Sequence, residues 1–355
     1  MTNISRRNFL GSIGIVSAAG IFGISRLGTK TGQKFIDLSG NPISIPDADP
    51  TVNGQLAPYI TPEESFFRID TAIGAIPEID AETWSLRIHG MVDKEITLSL
   101  SDIAALPQVE HIITLGCVSN KVGGDLIGNA SWGGVLLADV LQLAGVNKSA
   151  EQLVSTSVDG WTCGTPVSAV LDGRPAMLVT SMNGKPLSPV HGYPVRMIVP
   201  GLFGYVSATK WISDIEITTW DAFDAYWVRR GWSAEGPMLS SSRIDLPRPD
   251  SVVAAGSVNV GGFAWAPRAG IQSVQLKVND AAWVDCEVLA HDGIRRAEGG
   301  QHGIVALTPV EDVGLGDLVG IEPFWITWGA ATHRHDRKPR WHALAHPILR
   351  TWLGL

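Results

Sequence analysis

A chain of 355 residues that is 45% hydrophobic and 17% charged is long and apolar enough for two separately cored domains. Its formal net charge of −8, with no basic run interleaved with aromatics, excludes a nucleic-acid partner. Three cysteines, Cys117, Cys163 and Cys286, make neither a disulfide framework nor a CxxC zinc pair, and no CxxCH haem attachment site exists, so redox chemistry would need another cofactor.

The chain opens with Ser5-Arg6-Arg7-Asn8-Phe9-Leu10, a twin-arginine pattern, followed by an uncharged stretch from Phe9 to Ser25 that closes on Arg26. Gly11, Gly14, Gly20 and Gly23 interrupt it, which disfavours an amphipathic helix of a folded domain. Residues 1–28 therefore read as an export signal or anchor that directs the protein to the periplasm or the outer face of the cell membrane. Cleavage and retention both stay open, since Ala18 and Ala19 lie inside the apolar run. The twin-arginine route carries folded proteins, which suits a cofactor inserted before export. Residues 29–60, with Pro42, Pro46, Pro50 and Pro58, read as a linker or arm.

Residues 61–235 alternate strands with short helices. Trp84 to His89 alternates as a strand, Ser101 can cap a short helix stopped by Pro107, and Leu136 to Ala144 is a helix closed by Gly145. Cys117 ends the apolar run Ile112-Ile113-Thr114-Leu115-Gly116 and enters a loop in which Gly123, Gly124 and Gly128 are expected to leave open space. That placement suits a thiolate ligand for a soft metal at the mouth of a pocket, and equally a small core thiol. Cys163 has no ligand near it in sequence and reads as structural.

Arg196 interrupts the apolar strand Pro194 to Val199, where a guanidinium needs an anion or carboxylate to offset its desolvation. His191, in the turn before it, is close enough to share that anion, or is a capping or exposed histidine. Gly204 to Trp211 offers small residues, hydroxyls and Lys210, a loop able to wrap a phosphate with backbone amides before the strand Ile212 to Ile217. Upstream, Phe66-Phe67-Arg68-Ile69-Asp70 puts an arginine beside aromatics, or simply beside its salt-bridge partner Asp70.

After Gly236-Pro237 and Pro247-Arg248-Pro249 the pattern turns to strands alone: Val252 to Val260, Ile271 to Val278 and Trp283 to Leu289. Alternation in the last puts Val284, Cys286 and Val288 on one face, so Cys286 reads as core. Beyond about Gly293 the alternation fails. His333, His335, His342 and His346, among Arg, Lys and Pro347, read as a solvated tail rather than a metal site.

The order of these motifs resembles the sulfite oxidase family of molybdenum enzymes. Carrying the resemblance over residues 60 to 220 are Phe66-Phe67-Arg68, Trp84 to Gly90, Leu115-Gly116-Cys117-Val118-Ser119-Asn120, Trp132 to Leu137, Met182 to Leu187, His191 to Arg196 and Pro200-Gly201 onward to Lys210-Trp211. It implies an α+β fold, with a molybdopterin-binding catalytic domain over 61–235 and an immunoglobulin-like dimerisation domain over 236–355 that ends atypically. A homodimer is one assembly such a domain allows.

The cofactor implied is molybdenum-molybdopterin, with Cys117 ligating the metal. Phe67, Arg68, Asn120, Asp159, His191, Arg196, Ser207, Ala208, Thr209 and Lys210 match its binding residues. Cys117, Arg68, Lys121 and Thr180 occupy the catalytic positions. Sulfite-oxidising members carry a tyrosine where Thr180 stands and an arginine where Lys121 and Val122 stand, so a substrate anion would lose bidentate partners. The resemblance therefore implies an exported molybdenum oxidoreductase that reduces a sulfoxide or N-oxide and exchanges electrons with a quinone-linked membrane protein or a cytochrome. Sulfite dehydrogenase-type oxidation is the alternative. A non-catalytic exported binding protein that retains the fold is the reading of another class.

Overall fold

The computed structural model describes residues 60–70, 76–120, 124–239, 241–247, 256–266, 274–277, 282–289, 304–313 and 325–328. The signal segment, almost all of the arm, Lys121 and the histidine-bearing tail lie outside the described residues.

Among the described residues, ten strands precede residue 220: β1 Ser85–Gly90, β2 Ile96–Ser99, β3 Gln108–Gly116, β4 Ile127–Leu136, β5 Gln152–Ser157, β6 Thr162–Pro166, β7 Met177–Met182, β8 Lys185–Pro186, β9 Arg196–Ile198 and β10 Ile212–Thr218. They form two sheets. One has the order β2-β1-β10-β5-β6, with only β1 and β10 parallel; the other has the order β3-β4-β7-β8, with β9 also pairing β7. Helices are few and short, so the α+β expectation holds with strands dominant.

Each element follows from its side chains. In β1, Leu86 and Ile88 are buried while Arg87 turns outward to Glu95 at 2.9 Å, the alternation of a half-buried strand. Helix Leu137–Ala144 buries Leu137, Val140, Leu141 and Ala144, a stripe at spacings of three and four, against the first sheet. Gly145 ends it in the left-handed conformation at φ 72° and donates to Leu141 O at 3.1 Å. Helix Leu100–Ala105 is capped by Ser99 rather than Ser101. Its Oγ accepts from Asp102 N at 3.2 Å while the Asp102 carboxylate accepts from Ser99 N, a reciprocal box that Ser101, already inside the helix, cannot make.

The second sheet encloses a separate core of Phe66, Ile113, Leu115, Ala130, Trp132, Met177, Val179, Met182, Leu187 and Ile198. Gly128 is not open space: a Cβ there would stand 2.6 Å from the Phe66 ring, so the glycine admits the aromatic that begins the Phe66-Phe67-Arg68 run. Through that contact the run is seated against the sheet that carries Cys117.

Among the described residues, seven strands follow. β11 Ser241–Leu246, β12 Gly256–Trp265, β15 Glu287–Leu289 and β16 Ile304–Val313 make one antiparallel sheet, ordered β11-β12-β16-β15. β13 Val274–Lys277, β14 Val284–Asp285 and β17 Trp325–Trp328 make another, ordered β14-β13-β17. The single strand expected over Trp283 to Leu289 is thus two, paired in different sheets, with Cys286 between them. That corrects the core reading: Val284 is 52% exposed and Cys286 only partly buried, because the chain leaves one sheet for the other at this residue.

The capping geometry sets an expected outcome for stability. Ser99→Ala should cost about 1 kcal/mol and Ser101→Ala less than about 0.5 kcal/mol, measured as shifts in urea midpoint at constant slope. The reverse order would return the cap to Ser101.

Candidate active site

The end of β3 delivers Cys117 into a pocket of about 950 Å³, its open mouth included. Cys117 N donates to Leu126 O at 2.9 Å, and Asn120 turns back to donate to Cys117 O at 3.0 Å. Asn120 Oδ1 accepts from Leu126 N at 3.0 Å. The loop is therefore clamped at its neck and the sulfur position set by backbone. Ser119 N donates to Sγ at 3.4 Å, yet burial outweighs that bond and pushes the thiol pKa up. A bound cation would have to supply the charge that ionises it.

A second group of lining side chains is cationic. Arg68 Nε and Lys210 Nζ both donate to the carboxylate of Asp70, which is only 7% exposed. Burial pulls Lys210 down to about 8 against the opposing attraction of Asp70. Arg196, on β9 and 5% exposed, donates from Nη1 to His191 O at 3.1 Å and lies 5.0 Å from the Trp132 ring. Burial also lowers its pKa, with Asp70 acting the other way. His191 Nε2 meets the Glu63 carbonyl at 3.2 Å, which places the ring proton on that nitrogen. Burial first, and the Arg196 charge second, hold His191 down to about 4, so it is neutral at pH 7. Three cations, of which Arg68 and Lys210 share the carboxylate of Asp70, leave surplus positive charge, the field a dianionic phosphate ester requires.

The turn after β5 forms a third group. Trp161 N donates to Asp159 Oδ1 at 3.1 Å, and Val158 N donates to Trp211 O at 2.9 Å. Among the described residues, the buried side-chain atoms without a hydrogen-bond partner are Ser157 Oγ, Trp161 Nε1, Ser188 Oγ and Arg196 Nε, and all but Ser188 belong to residues lining this pocket. Burying a polar group unpaired costs about 1–3 kcal/mol, so their concentration here marks a cavity shaped for a polar ligand.

Of the residues expected from sequence, Cys117, Phe67, Arg68, Asp159, His191, Arg196, Ala208 and Lys210 line the pocket. Asn120, Thr180, Ser207 and Thr209 do not. Asn120 is occupied in closing the loop. Thr180 sits on β7, where its carbonyl accepts from Leu187 N at 3.0 Å. Ser207 Oγ donates to Leu202 O and Phe203 O, each at 3.0 Å, and Thr209 Oγ1 meets Ser155 Oγ at 2.6 Å. The amides of Ser207 and Ala208 donate to Gly204 O at 3.3 and 3.0 Å, so these two are turned into the loop itself. Its two hydroxyls are thus engaged within the protein, while Lys210 and Ala208 line the pocket. The arginine beside Asp70 is both things at once, a salt-bridge partner and a pocket residue. Cys163 is wholly buried, as a structural thiol should be.

Sequence reasoning missed the aromatic lining: Trp161, Tyr205, Trp211, Trp227 and Trp232. A hint was available in the chain's 13 tryptophans, of which Trp220, Trp227 and Trp232 fall close together where no strand alternation would bury them.

Comparison with known proteins agrees with this chemistry. Residues 73–227 match the model of the oxidoreductase molybdopterin binding domain. The uncharacterized oxidoreductase YuiH of Bacillus subtilis is 31% identical over 192 residues, covering 54% of this chain and 92% of that protein. Sulfite oxidase of Arabidopsis thaliana is 28% identical over 290 residues, 67% of this chain and 72% of its own. Against the mitochondrial sulfite oxidase of Homo sapiens the identity is 27%, and the match spans only 45% of that longer protein. The sulfane dehydrogenase SoxCD of Paracoccus pantotrophus shares the fold, with a TM-score of 0.61 at 21% identity over 72% of this chain and 70% of the other.

The neutral, buried His191 makes stability depend on pH. In the cofactor-free protein the unfolded chain takes up a proton near pH 6.5 that the folded histidine accepts only near 4. Stability should therefore fall as pH drops through that window, by up to about 3 kcal/mol, with no contribution from this group above it. Urea denaturation at pH 7 and pH 5 checks this. His191→Gln should lose that share of the pH slope, and an unchanged slope would mean that His191 does not titrate as described.

Proposed function

Because the chain belongs to the sulfite oxidase family of molybdopterin-dependent oxidoreductases, we propose that it holds a molybdenum-molybdopterin cofactor in the pocket around Cys117 and reduces a sulfoxide or N-oxide. The donor set fits the group: a pocket thiol for the metal, surplus cations for a phosphate, and unpaired buried donors beside a carboxylate for a polar heterocycle. Cys117 Sγ would hold the metal. Arg196, Lys210 and Arg68 would hold the phosphate, with neutral His191, its Nε2 proton given to the Glu63 carbonyl, offering only Nδ1 as an acceptor beside it. Asp159 would accept from the pterin edge. The group supplies two-electron oxygen-atom transfer when bound. For a sulfoxide the balance is one sulfoxide, two electrons and two protons giving the thioether and water, with the sulfur–oxygen bond broken and the electrons delivered singly by an external carrier.

One observation supports the choice of substrate: each pocket cation already has a partner in the protein. Arg68 and Lys210 share Asp70, and Arg196 is fixed between the His191 carbonyl and the Trp132 ring. With Lys121 and Val122 where sulfite-oxidising members carry an arginine, a sulfite dianion would have one guanidinium fewer, at about 1.5–3 kcal/mol for each missing charge-assisted bond. Sulfite oxidation remains the second reading, supported by relatives that bear the name sulfite oxidase.

The twin-arginine pattern supports export before use, to the periplasm or the outer membrane face, with a quinone-linked membrane protein or a cytochrome as electron carrier. The two antiparallel sheets after residue 240 support an immunoglobulin-like domain following the catalytic one, and hence the division at about residue 235. A homodimer through that domain belongs to the same proposal.

Cys117→Ser should abolish molybdenum-dependent turnover at matched pterin content, since a hydroxyl cannot replace the soft thiolate. Arg196→Ala should lower pterin content several-fold while the urea midpoint moves little, and Arg196→Lys should restore only part. Turnover of the serine variant equal to the parent, or unchanged pterin in the alanine variant, would remove those residues from their roles.

Direction and substrate are decided on one preparation. With reduced viologen, methyl sulfoxides or N-oxides should turn over at kcat/KM at least about ten-fold above sulfite oxidation measured with a dye acceptor. Efficient sulfite turnover without sulfoxide or N-oxide reduction would reverse the reading.

A further inference from the structure

A second arm, residues 219–239 between β10 and β11, reaches back to the pocket, which its Trp227 and Trp232 line. Phe203 N donates to Gly236 O at 2.7 Å, Met238 N donates to Gly201 O at 2.9 Å, and Tyr205 Oη donates to Ser233 O at 3.1 Å. The arm is thereby pinned to the segment that carries Tyr205. That segment abuts the Cys117 strand: a Cβ on Gly204 would stand 3.8 Å from Gly116 O, and one on Gly116 would stand 2.9 Å from the Met238 methyl.

The pinned segments bring aromatic rings together in the pocket that Cys117 also lines. Tyr205 and Trp232 meet edge to face at 5.0 Å, and Trp232 and Trp227 meet at 4.7 Å with 33° between planes. All three are half-buried and line the pocket. The arm's own cations are engaged elsewhere. Arg230 lies 3.6 Å from the Tyr226 ring and donates to Tyr226 O at 2.7 Å, while Arg229 lies 5.3 Å from the Phe223 ring; neither lines the pocket. The pocket is therefore divided between a cationic group tied through Asp70 and Arg196, and an aromatic group tied through Trp232.

We propose that Tyr205, Trp227 and Trp232 form a preformed substrate subsite next to Cys117, which takes the apolar substituent of a neutral oxo-compound, with aryl preferred to methyl. The proposal rests on the reductive reading of the site for its chemistry, but the subsite is a matter of binding. Its rings offer π faces and no fixed positive charge, so they favour a flat apolar group and give a dianion nothing to pair with. The contacts that orient them are backbone hydrogen bonds made before any ligand arrives, so little ordering accompanies binding.

Isothermal titration of the cofactor-loaded protein separates the subsite from the direction of reaction. The probe is methyl phenyl sulfone, which carries the aryl group but is not a sulfoxide, with sulfate as the dianion. The sulfone should bind at least about ten-fold more tightly than sulfate, and Trp232→Ala should weaken it about ten-fold or more, while Trp232→Phe keeps most of the affinity. In turnover with reduced viologen, methyl phenyl sulfoxide should have a KM well below that of dimethyl sulfoxide in the parent. Trp232→Ala should erase that difference mainly through KM. Sulfate binding above sulfone in the parent would overturn the subsite, and that measurement needs no variant to fold. Equal sulfone affinity in parent and alanine variant at matched pterin content would also overturn it. Sulfone binding that depends on Trp232, in a protein that reduces no sulfoxide, would support the subsite and sink the reductive reading instead.

Discussion

The buried guanidinium of Arg196 is the constraint around which the pocket is organised. A cation removed from water in an otherwise apolar strand must be offset locally, and among the described residues no carboxylate touches it. The His191 carbonyl and the Trp132 face provide part of that offset, and Asp70 provides a longer-range part. The remainder shows as an unpaired Nε and a depressed pKa. Burial above all, and the same unbalanced charge after it, keeps His191 neutral and pulls Lys210 down. A site whose buried positive charge is only partly offset by its own side chains is one that binds an anion strongly.

The two sheets divide the work. The second sheet, with its own core under Phe66, sets the height of Cys117 through β3 and admits the Phe66-Phe67-Arg68 run through Gly128. The first sheet contributes the turn of Ser157, Asp159 and Trp161, and the loop before β10 ends in Lys210. No single element carries the site. Its parts lie on segments whose positions are fixed by separate packing, which is how a pocket can keep unpaired polar groups without collapsing onto them.

The motifs legible in the sequence share one property, that they are local. A strand ending in Gly116-Cys117, an arginine breaking an apolar run at 196, and a helix closed by Gly145 are each defined by neighbours within a few residues. Where the reading failed, the local pattern was ambiguous or misleading. Ser99 and Ser101 are both candidate caps two residues apart, and only the Asp102 bond distinguishes them. Alternation around Cys286 is real, yet the strand changes sheets there and the faces no longer mean the same thing. Hydroxyls at Ser207 and Thr209 looked like phosphate donors, but their own loop and Ser155 take them.

By itself the sequence determined the order of elements, the thiol at a strand end, the buried arginine and the family those features spell, because spacing and alternation act over a few residues. Only the tertiary structure decided which side chains meet. Lys210 finds Asp70 across 140 residues of chain, and Trp84 finds the Ile212 carbonyl across 128. Trp227 and Trp232, too, line the pocket of Cys117 only because backbone bonds join Gly236 and Met238 to the turn at Gly201 and Phe203. Such meetings depend on how whole sheets pack, and no periodicity in the chain encodes them.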